Sequence, residues 1–466
     1  MKKTLYIFLF IAVFFSCESD LFQEPITSKS VGNFFSNEGE IESAVNGVYA
    51  ALQFTGLYNL YVPALGELPS DNTFDEVPAN DGGRYGQMDE FTVIPSNEVI
   101  TGIWKDSYIG IQRANIILNR INDISFTEII TKNARIGEMK FIRALLYFNL
   151  VRIYGDVPLV TEETVDPTEY FGQGRTAASE VYLQVEEDLL EAIKLLPIVP
   201  DTPGRVSKTA AQALLGRMYM TQRKFDEAKI QLQAVVNSNQ YSLMENPVDI
   251  FDTDNELNAE VVFAVQFSSG TNGNSEGSDA FVQFSPSGTV NGAKGHNLPN
   301  RDFIQLYEEN DLRKEAFIGV TEQGTPFCKK YKEPLTVPED GESDWHVIRY
   351  ADVLLMLAET ENEMGNQMAA LSLLNQIRNR AGLENALASS PEELDKAIEL
   401  ERRLELIGEG HRWFYLLRTG KAIETMNAWF ENNTNLGITI EQNDLLMPIP
   451  QSQIDTDPAL TQNPGY

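Results

Sequence analysis

The chain has 466 residues, and its 68 acidic against 36 basic side chains give a formal net charge of −32 at pH 7. This charge argues against a nucleic acid partner, because polyanions bind to clusters of lysine and arginine. The apolar fraction of 42% is enough for a large hydrophobic core, and two cysteines are too few for a disulfide framework.

The first residues are typical of a lipoprotein secretion signal. Two lysines precede an apolar run that ends at Phe15, and Ser16 comes directly before Cys17. The run is too short to cross a bilayer as a mature helix, and a small residue before cysteine is typical of the site where the signal is cleaved and the thiol receives a lipid. We therefore predict a signal peptide over 1–16 and lipidation of Cys17. Cys328 would then have no disulfide partner.

Residues 17–36 are predicted to form the lipid anchor and a tether. Glu18 and Asp20 place negative charge beside the anchor, and an acidic surface repels anionic lipid headgroups. Attachment to a membrane is therefore expected through acyl chains on Cys17 rather than through a basic amphipathic helix.

The first helix is predicted over Asn37–Gln53. Apolar residues recur there at spacings of three and one, from Ile41 to Leu52, which indicates an amphipathic helix. Asn37 followed three residues later by Glu40 is typical of a capped helix start, in which the acid reaches back toward the cap.

Two longer helices are predicted next, over 97–121 and 135–154. The first carries an apolar stripe that includes Trp104. The second is apolar nearly all round, so we expect neighbours to bury it on every side. Gly155 and Pro158 should end it, because glycine accepts the left-handed C-terminal conformation and proline cannot continue the hydrogen-bond ladder.

Two later segments resemble tetratricopeptide helix pairs. The first has the spacing of Leu215, Gly216, Tyr219, Phe225 and Ala228, although Arg223 stands where a turn glycine is usual. The second is looser and retains the small residues of the pattern, at Ala358, Gly365 and Ala370 among others. Repeated helical hairpins are the favoured interpretation, and the alternative is that any amphipathic hairpin gives some of these matches.

Two stretches, 54–96 and 241–345, lack a helical period. The second is rich in glycine, asparagine, serine and proline, and only Glu260–Phe267 is typical of a strand within it. Long loops inside a helical domain are usually either functional or disordered. Both stretches are therefore candidates for a ligand site.

Several segments, in order along nearly the whole chain, share a pattern with one known family: Ala44–Tyr49, Ile103–Asn115, Glu138–Ala144, Tyr154–Val160, Ile348–Met356, Glu401–Phe414, Pro448–Gln451 and Asn463–Tyr466. Together they resemble the SusD and RagB family of outer-membrane nutrient-binding lipoproteins. The resemblance implies one mostly α-helical domain over 37–466, with tetratricopeptide-like hairpins within about 97–237 and 346–430 and irregular ligand-side insertions at about 54–96 and 241–345, plus a few short strands.

The same resemblance implies a cell-surface lipoprotein of the outer membrane. Such a protein acts as a lid on a SusC-like TonB-dependent transporter, captures an oligosaccharide and passes it to the transporter. For some members of the family the cargo is a peptide, and a strongly acidic chain could favour cationic peptides. We expect an oligosaccharide first and keep a peptide as the alternative.

No catalytic or metal-binding motif in the sequence has the surrounding residues that its chemistry requires. Ser275 lies in a G-x-S-x-G pattern, but no helix is predicted after it. Leu257 and Phe263 stand where a calcium loop starting at Asp252 needs glycine and an acid. We therefore predict a binding protein rather than an enzyme, with no cofactor. A surface hydrolase is the least favoured reading, and calcium held by other loop acids is left open.

A glycan site needs aromatic faces beside carboxylate, amide or guanidinium groups. The 54–96 stretch supplies both, and its segment Leu68–Asn72 resembles one that family members place near the pocket. We therefore predict five ligand contacts: Asp71, Asn72, Arg84, Tyr85 and, if it is not simply part of the core, Trp104. Composition suggests a second wall formed by Phe281, Gln283, Phe284, Asn291 and His296.

Overall fold

The computed structural model describes residues 35–166, 168–270, 276–289, 292–332, 337–434 and 436–466. The predicted signal peptide, Cys17 and the tether up to residue 34 lie outside the described residues, as does Ser275. Long helices carry most of the described chain, which confirms the mostly α-helical fold class. They are α1 (Glu38–Leu52), α2 (Glu98–Arg120), α3 (Ile129–Tyr154), α4 (Ala178–Leu195), α5 (Lys208–Thr221), α6 (Phe225–Asn237), α7 (Tyr350–Glu363), α8 (Gln367–Arg380), α9 (Pro391–Leu406), α10 (Arg412–Thr419) and α11 (Ala422–Asn433).

Helix α1 begins as its sequence predicts. The Asn37 side chain accepts a hydrogen bond from the Glu40 amide at 3.1 Å. The Glu40 carboxylate reaches back one residue further than expected and accepts bonds from the amide and hydroxyl of Ser36, at 2.8 and 2.7 Å. Together these contacts satisfy amide groups that have no partner inside the helix.

Helix α3 is buried between neighbours, as its composition predicts, but it starts six residues before the predicted Arg135. Its first residues, Ile129 and Ile130, are about two-thirds exposed, so no apolar periodicity marks that turn. In the buried part, Arg143 forms a bidentate pair with Asp188, both bonds at 2.7 Å, and donates to the Asn115 amide oxygen at 2.8 Å. These bonds tie α3 to α2 and α4.

The helical hairpins are confirmed. Helices α5 and α6 form the first pair, and a side chain at Gly216 would meet Leu232 of the partner helix at 2.7 Å. Arg223 takes the turn conformation expected of glycine, with φ of 56°, a strained choice for a residue with a side chain. Gly365, at the turn between α7 and α8, has φ of 79°.

The described strands are short and form two-stranded sheets. The described strands are β1 (Thr73–Phe74), β2 (Val261–Val265), β3 (Leu298–Pro299), β4 (Ile318–Val320), β5 (Pro326–Cys328) and β6 (Trp345–Arg349). The predicted strand appears as β2, which pairs antiparallel with β6. The pair β1 and β3 joins the two irregular stretches, with Phe74 opposite Leu298.

Short turns of helix fill the rest of the irregular stretches. The short α-helices are Tyr61–Leu65, Gly86–Asp89, Ala280–Phe284, Arg301–Ile304, Leu312–Phe317 and, near the end of the chain, Gln451–Thr456. Single turns occur at Thr55–Asn59, Asp81–Gly83, Ile121–Asp123, Pro247–Phe251, Thr253–Asn255 and Gln442–Leu445. Within the described ranges, no helix has the length and apolar character needed to cross a membrane.

A buried ion network lies where β2, β6 and α9 meet. The Arg349 guanidinium bonds the carboxylates of Glu260 at 2.7 Å, Glu405 at 2.6 Å and Glu409 at 2.7 Å. Arg313 pairs with Glu405 from another side at 3.1 Å. All five side chains are buried, so each charge depends on its partners.

Replacing Arg349 with methionine should therefore lower the free energy of unfolding by about 3–5 kcal/mol, because three buried carboxylates lose a partner. Urea denaturation of both proteins measures the difference. Arg223→Met is a matched control: its guanidinium is 57% exposed and lies 3.5 Å from Glu363, so a loss under about 1 kcal/mol is expected. Equal losses for the two variants would contradict this account of the network.

Candidate functional site

The two irregular stretches meet at one place, as the sequence predicts for a site built from both. Strand β1 pairs with β3, and beyond it the Glu76 amide donates to the Gly295 carbonyl at 2.9 Å. The Glu76 carboxylate accepts a bond from the Ser287 amide at 2.8 Å. Residues more than 200 positions apart thus form one wall.

His296 fastens the loop that follows β1. Its imidazole is completely buried, with Nδ1 at 2.9 Å from Asp75 Oδ1 and Nε2 at 3.0 Å from Asp81 Oδ2. The hydrogen bond to His296 lowers the pKa of Asp81. The ring also packs against Tyr85, with centroids 4.2 Å apart. One histidine therefore fixes both ends of the loop over residues 75–81.

A cleft of about 800 Å³ opens beside this loop. Its walls come from the β1 loop, from the segment after β3 and from the end of α11. We call it the acidic cleft. It is lined by Phe74, Asp75, Glu76, Pro78, Asp89, Glu90, Asn300, Arg301, Asp302, Gln305, Thr325, Trp429, Phe430, Asn433, Thr434 and Leu436.

Two partly exposed aromatic rings, Phe74 and Trp429, lie in the acidic cleft. The Trp429 indole Nε1 donates a hydrogen bond to Asp302 Oδ2 at 3.2 Å. Its ring packs edge to face against the buried Phe430, with centroids 5.2 Å apart. These contacts hold the indole in a fixed orientation beside polar groups.

Acidic side chains dominate the polar lining of the cleft. Burial, together with the carboxylates of Asp75 and Glu90, raises the pKa of Asp89 to about 8. Asp89 Oδ2 accepts a bond from the Asp75 amide at 3.0 Å. The Oδ2 atom of Asp75 is buried and has no hydrogen-bond partner among the described residues. The raised pKa of Asp89 favours its neutral form at neutral pH, and its carboxyl group lies within hydrogen-bonding distance of the Asp75 backbone amide.

Asp71 and Asn72, predicted to contact ligand, lie beneath the cleft and are buried. Asp71 pairs with Arg412 at 2.7 Å and with Arg403 at 2.8 Å. The Asn72 amide donates to Glu67 at 3.0 Å and accepts from Arg403 Nε at 2.9 Å. Their polar atoms are therefore engaged inside the protein.

The other three predicted contacts lie elsewhere. Tyr85 is fully buried, and Arg84 bonds Glu98 at 2.6 Å and does not line the acidic cleft. Trp104 is 4% exposed and lies in a separate cleft of about 570 Å³, beside Tyr108 and the exposed Phe171. Arg84 and Tyr85 lie side by side, but neither shares a cleft with Trp104. Direct contact by these five residues stays a prediction.

None of the described residues of the predicted second wall lines the acidic cleft, and ligand contact by them stays a prediction. His296, Gln283 and Phe284 are buried, and Phe281 is half-buried. Asn291 lies outside the described residues.

Sequence reasoning missed Trp429, Arg301 and Asp302 in the lining of the cleft. Trp429 lies on a helix more than 350 residues after Phe74, and no local pattern links the two positions. One signal for this site was available in the sequence: Trp429 stands among the polar residues Asn427, Asn432 and Asn433. Among the described residues, no three histidine, cysteine, aspartate or glutamate side chains come together to hold a metal ion.

Comparison with known proteins gives the family. A family model described as "SusD family" matches residues 317–466, and one described as "Starch-binding associating with outer membrane" matches residues 27–220. A solved structure named as a laminarin-binding SusD-like protein is 30% identical, with a TM-score of 0.80. It covers 92% of this chain and is itself covered completely. The chain belongs to the SusD family.

Other SusD-like proteins match along the same length. SusD-like protein P25 of Formosa agariphila is 27% identical and covers 99% of this chain, with 98% of its own length matched. A solved structure of surface glycan-binding protein A from Bacteroides thetaiotaomicron, in complex with laminarihexaose, has a TM-score of 0.79 at 23% identity. The match covers 92% of this chain and all of the solved chain. The two proteins therefore share the SusD fold.

Replacing His296 with leucine should lower the free energy of unfolding by about 2–3 kcal/mol, because two carboxylates lose their partner and one of them is buried. Thermal unfolding of both proteins checks this. His346→Leu is the control, since His346 is also buried and stacks on Phe251 but bonds no carboxylate. If the control loses as much stability as the His296 variant, the loop is not fastened by these bonds.

Asp89→Asn should stabilise the protein in a pH-dependent way. A carboxyl group with a folded pKa of about 8 and an unfolded pKa of about 4 keeps its proton only in the folded state between those values. The native protein therefore loses stability as the pH rises through this window. The Asp89→Asn variant has no carboxyl group to ionise at this position, so it avoids this loss of stability. The asparagine side-chain oxygen can still accept the hydrogen bond from the Asp75 amide.

The gain in the free energy of unfolding should therefore grow from pH 5 to pH 8 and stay constant above pH 9, as measured by urea denaturation. Asp123→Asn, at an exposed turn, should give the same small difference at every pH. A gain at Asp89 that does not change with pH would show that this carboxyl group is ionised in the folded protein.

Proposed function

We propose that this member of the SusD family binds a glycan in the acidic cleft and passes it to a SusC-like TonB-dependent transporter. The observation that carries the proposal is the placing of Trp429 and Phe74 beside carboxylate, amide and guanidinium groups in one open cleft. Aromatic rings pack against the apolar C–H faces of sugars, and planar polar groups bond their hydroxyls.

In this proposal Trp429 is the main stacking platform. Asp302 holds the indole and, with Glu90, accepts hydrogen bonds from sugar hydroxyls, while Arg301 donates them. The similarity to a laminarin-binding SusD-like protein, 30% identical over 92% of this chain, supports a glycan as the cargo.

The five residues predicted from sequence take other roles in this proposal. Asp71 and Asn72 hold Arg403 and Arg412 beneath the cleft, and Tyr85 supports His296. Arg84 lies outside the lining of the cleft, where a long glycan could reach it. Trp104 would contact only a ligand that extends to the separate cleft beside Phe171.

The proposal includes a lipid anchor at Cys17 and a location on the outer face of the outer membrane. The matching family description, "Starch-binding associating with outer membrane", supports the membrane association. We propose binding without catalysis, and incubation with candidate glycans tests this part. New reducing ends would indicate a hydrolase that uses the cleft carboxyl groups.

A peptide is the second candidate cargo. The acidic lining and the net charge of −32 favour a cationic chain. Ion pairing in an open cleft weakens as salt screens the charges, whereas stacking on an uncharged sugar responds little. Titrating both classes of ligand at low and high salt separates the two candidates.

Trp429→Ala should weaken glycan binding about tenfold or more, because the stacking surface is lost. Trp429→Phe retains a flat aromatic ring, so its glycan affinity should fall less than that of Trp429→Ala. Calorimetric titration of the full chain in detergent, against a panel that includes laminarin oligosaccharides, other neutral and charged glycans and peptides, measures the affinities.

Phe171→Ala removes an aromatic ring that is 60% exposed in the separate cleft and should leave the affinity unchanged. A Trp429→Ala protein that binds as tightly as the native chain would move the ligand away from the acidic cleft. The loss of binding in Phe171→Ala instead would place the ligand beside Trp104.

A further inference from the structure

We infer that the acidic cleft selects glycans without charge and rejects those that carry carboxylate or sulfate groups. This inference rests on the proposed function, since it concerns which glycan the same cleft accepts. It follows from the balance of charge in the lining and from the kind of hydrogen bond that each lining group can form.

Five carboxyl groups and one guanidinium line the cleft. The carboxyl groups belong to Asp75, Glu76, Asp89, Glu90 and Asp302, and the guanidinium belongs to Arg301. The Glu90 side chain is partly exposed, and its carboxylate forms no hydrogen bond or ion pair with any described residue. The Asp302 carboxylate receives one bond, from the uncharged indole of Trp429. Asp89 has a raised pKa that favours its neutral form, and Asp75 is buried against His296. The carboxylates of Glu76, Glu90 and Asp302 still outnumber the single guanidinium of Arg301 in the lining.

The cations near the cleft are committed to other partners. Arg403 pairs with Asp71 at 2.8 Å, and Arg84 pairs with Glu98 at 2.6 Å. The Lys294 ammonium lies 3.5 Å from the Asp81 carboxylate, and Lys294 does not line the cleft. Arg301 alone among the lining residues offers a positive charge to a ligand.

Hydrogen-bond chemistry leads to the same selection. Ionised carboxylates only accept hydrogen bonds, and so do the carboxylate and sulfate groups of a charged glycan. Sugar hydroxyls donate, so a neutral glycan can pair with the carboxylates of Glu90 and Asp302. An anionic group in the same place would face like charges without any shared proton.

The test compares neutral and anionic oligosaccharides of equal length by calorimetric titration of the full chain. Neutral probes are oligosaccharides of laminarin, mannan and xylan; anionic probes are oligogalacturonates and sulfated galactans. At about 20 mM salt we expect at least one neutral probe to bind ten times more tightly than any anionic probe. Raising the salt to about 300 mM should narrow this ratio, because screening weakens the repulsion.

Glu90→Gln removes one charge and adds an amide donor without changing the size of the side chain. The ratio of neutral to anionic affinity should fall at least threefold in this variant at low salt. Glu227→Gln removes an exposed charge on α6, far along the chain from the lining residues, and should leave the ratio unchanged.

The outcomes separate the inference from the function beneath it. An anionic probe that binds as tightly as every neutral one, or a ratio that Glu90→Gln does not alter, overturns the selection while glycan binding stands. If neither neutral nor anionic glycans bind, the proposed function and the inference are both overturned. Binding of a cationic peptide with no glycan bound has the same consequence and identifies the cargo as peptide.

Discussion

Buried charges must find partners, and this requirement organises the molecule. A guanidinium or carboxylate removed from water without a partner costs several kcal/mol, so each pair fixes the two segments that supply it. Arg349 joins β6 to the carboxylates of Glu260 and Glu405, which lie 89 and 56 residues away. Arg412 joins α10 to Asp71, 341 residues away. Such long-range pairs hold the irregular stretches that have no long helices of their own.

The acidic cleft is a consequence of this arrangement. Helices α9 and α10 supply the arginines that pair with Asp71, which precedes β1, and β1 then pairs with β3. His296 fastens the following loop at Asp75 and Asp81. The loop and the end of α11 are thus held apart as two walls, with Trp429 on one side and Phe74 on the other. Bonds that hold the loop before a ligand arrives reduce the entropic cost of ordering it on binding.

The sequence was most informative where periodicity is local. Helices α1 and α2 agree with the predicted ranges within a residue at each end, and the first predicted hairpin forms, with Gly216 packed closely against Leu232. Helix α3 began early because its first turn is exposed and carries no apolar pattern. The irregular stretches were predicted to carry the ligand site, and the structure brings them together at β1 and β3. Asp71 and Asn72, however, look identical in sequence whether they face a ligand or a buried arginine. Trp429 could not be placed, because only the folded chain brings α11 beside β1.

The central claim is that the ligand occupies the acidic cleft. A crystal structure of the protein with its tightest-binding glycan tests this most directly. We expect a sugar ring stacked on Trp429, with hydroxyls bonded to Asp302 and Glu90 and the His296 bonds unchanged. A glycan seated instead against Trp104 and Phe171, with the acidic cleft empty, would contradict the account.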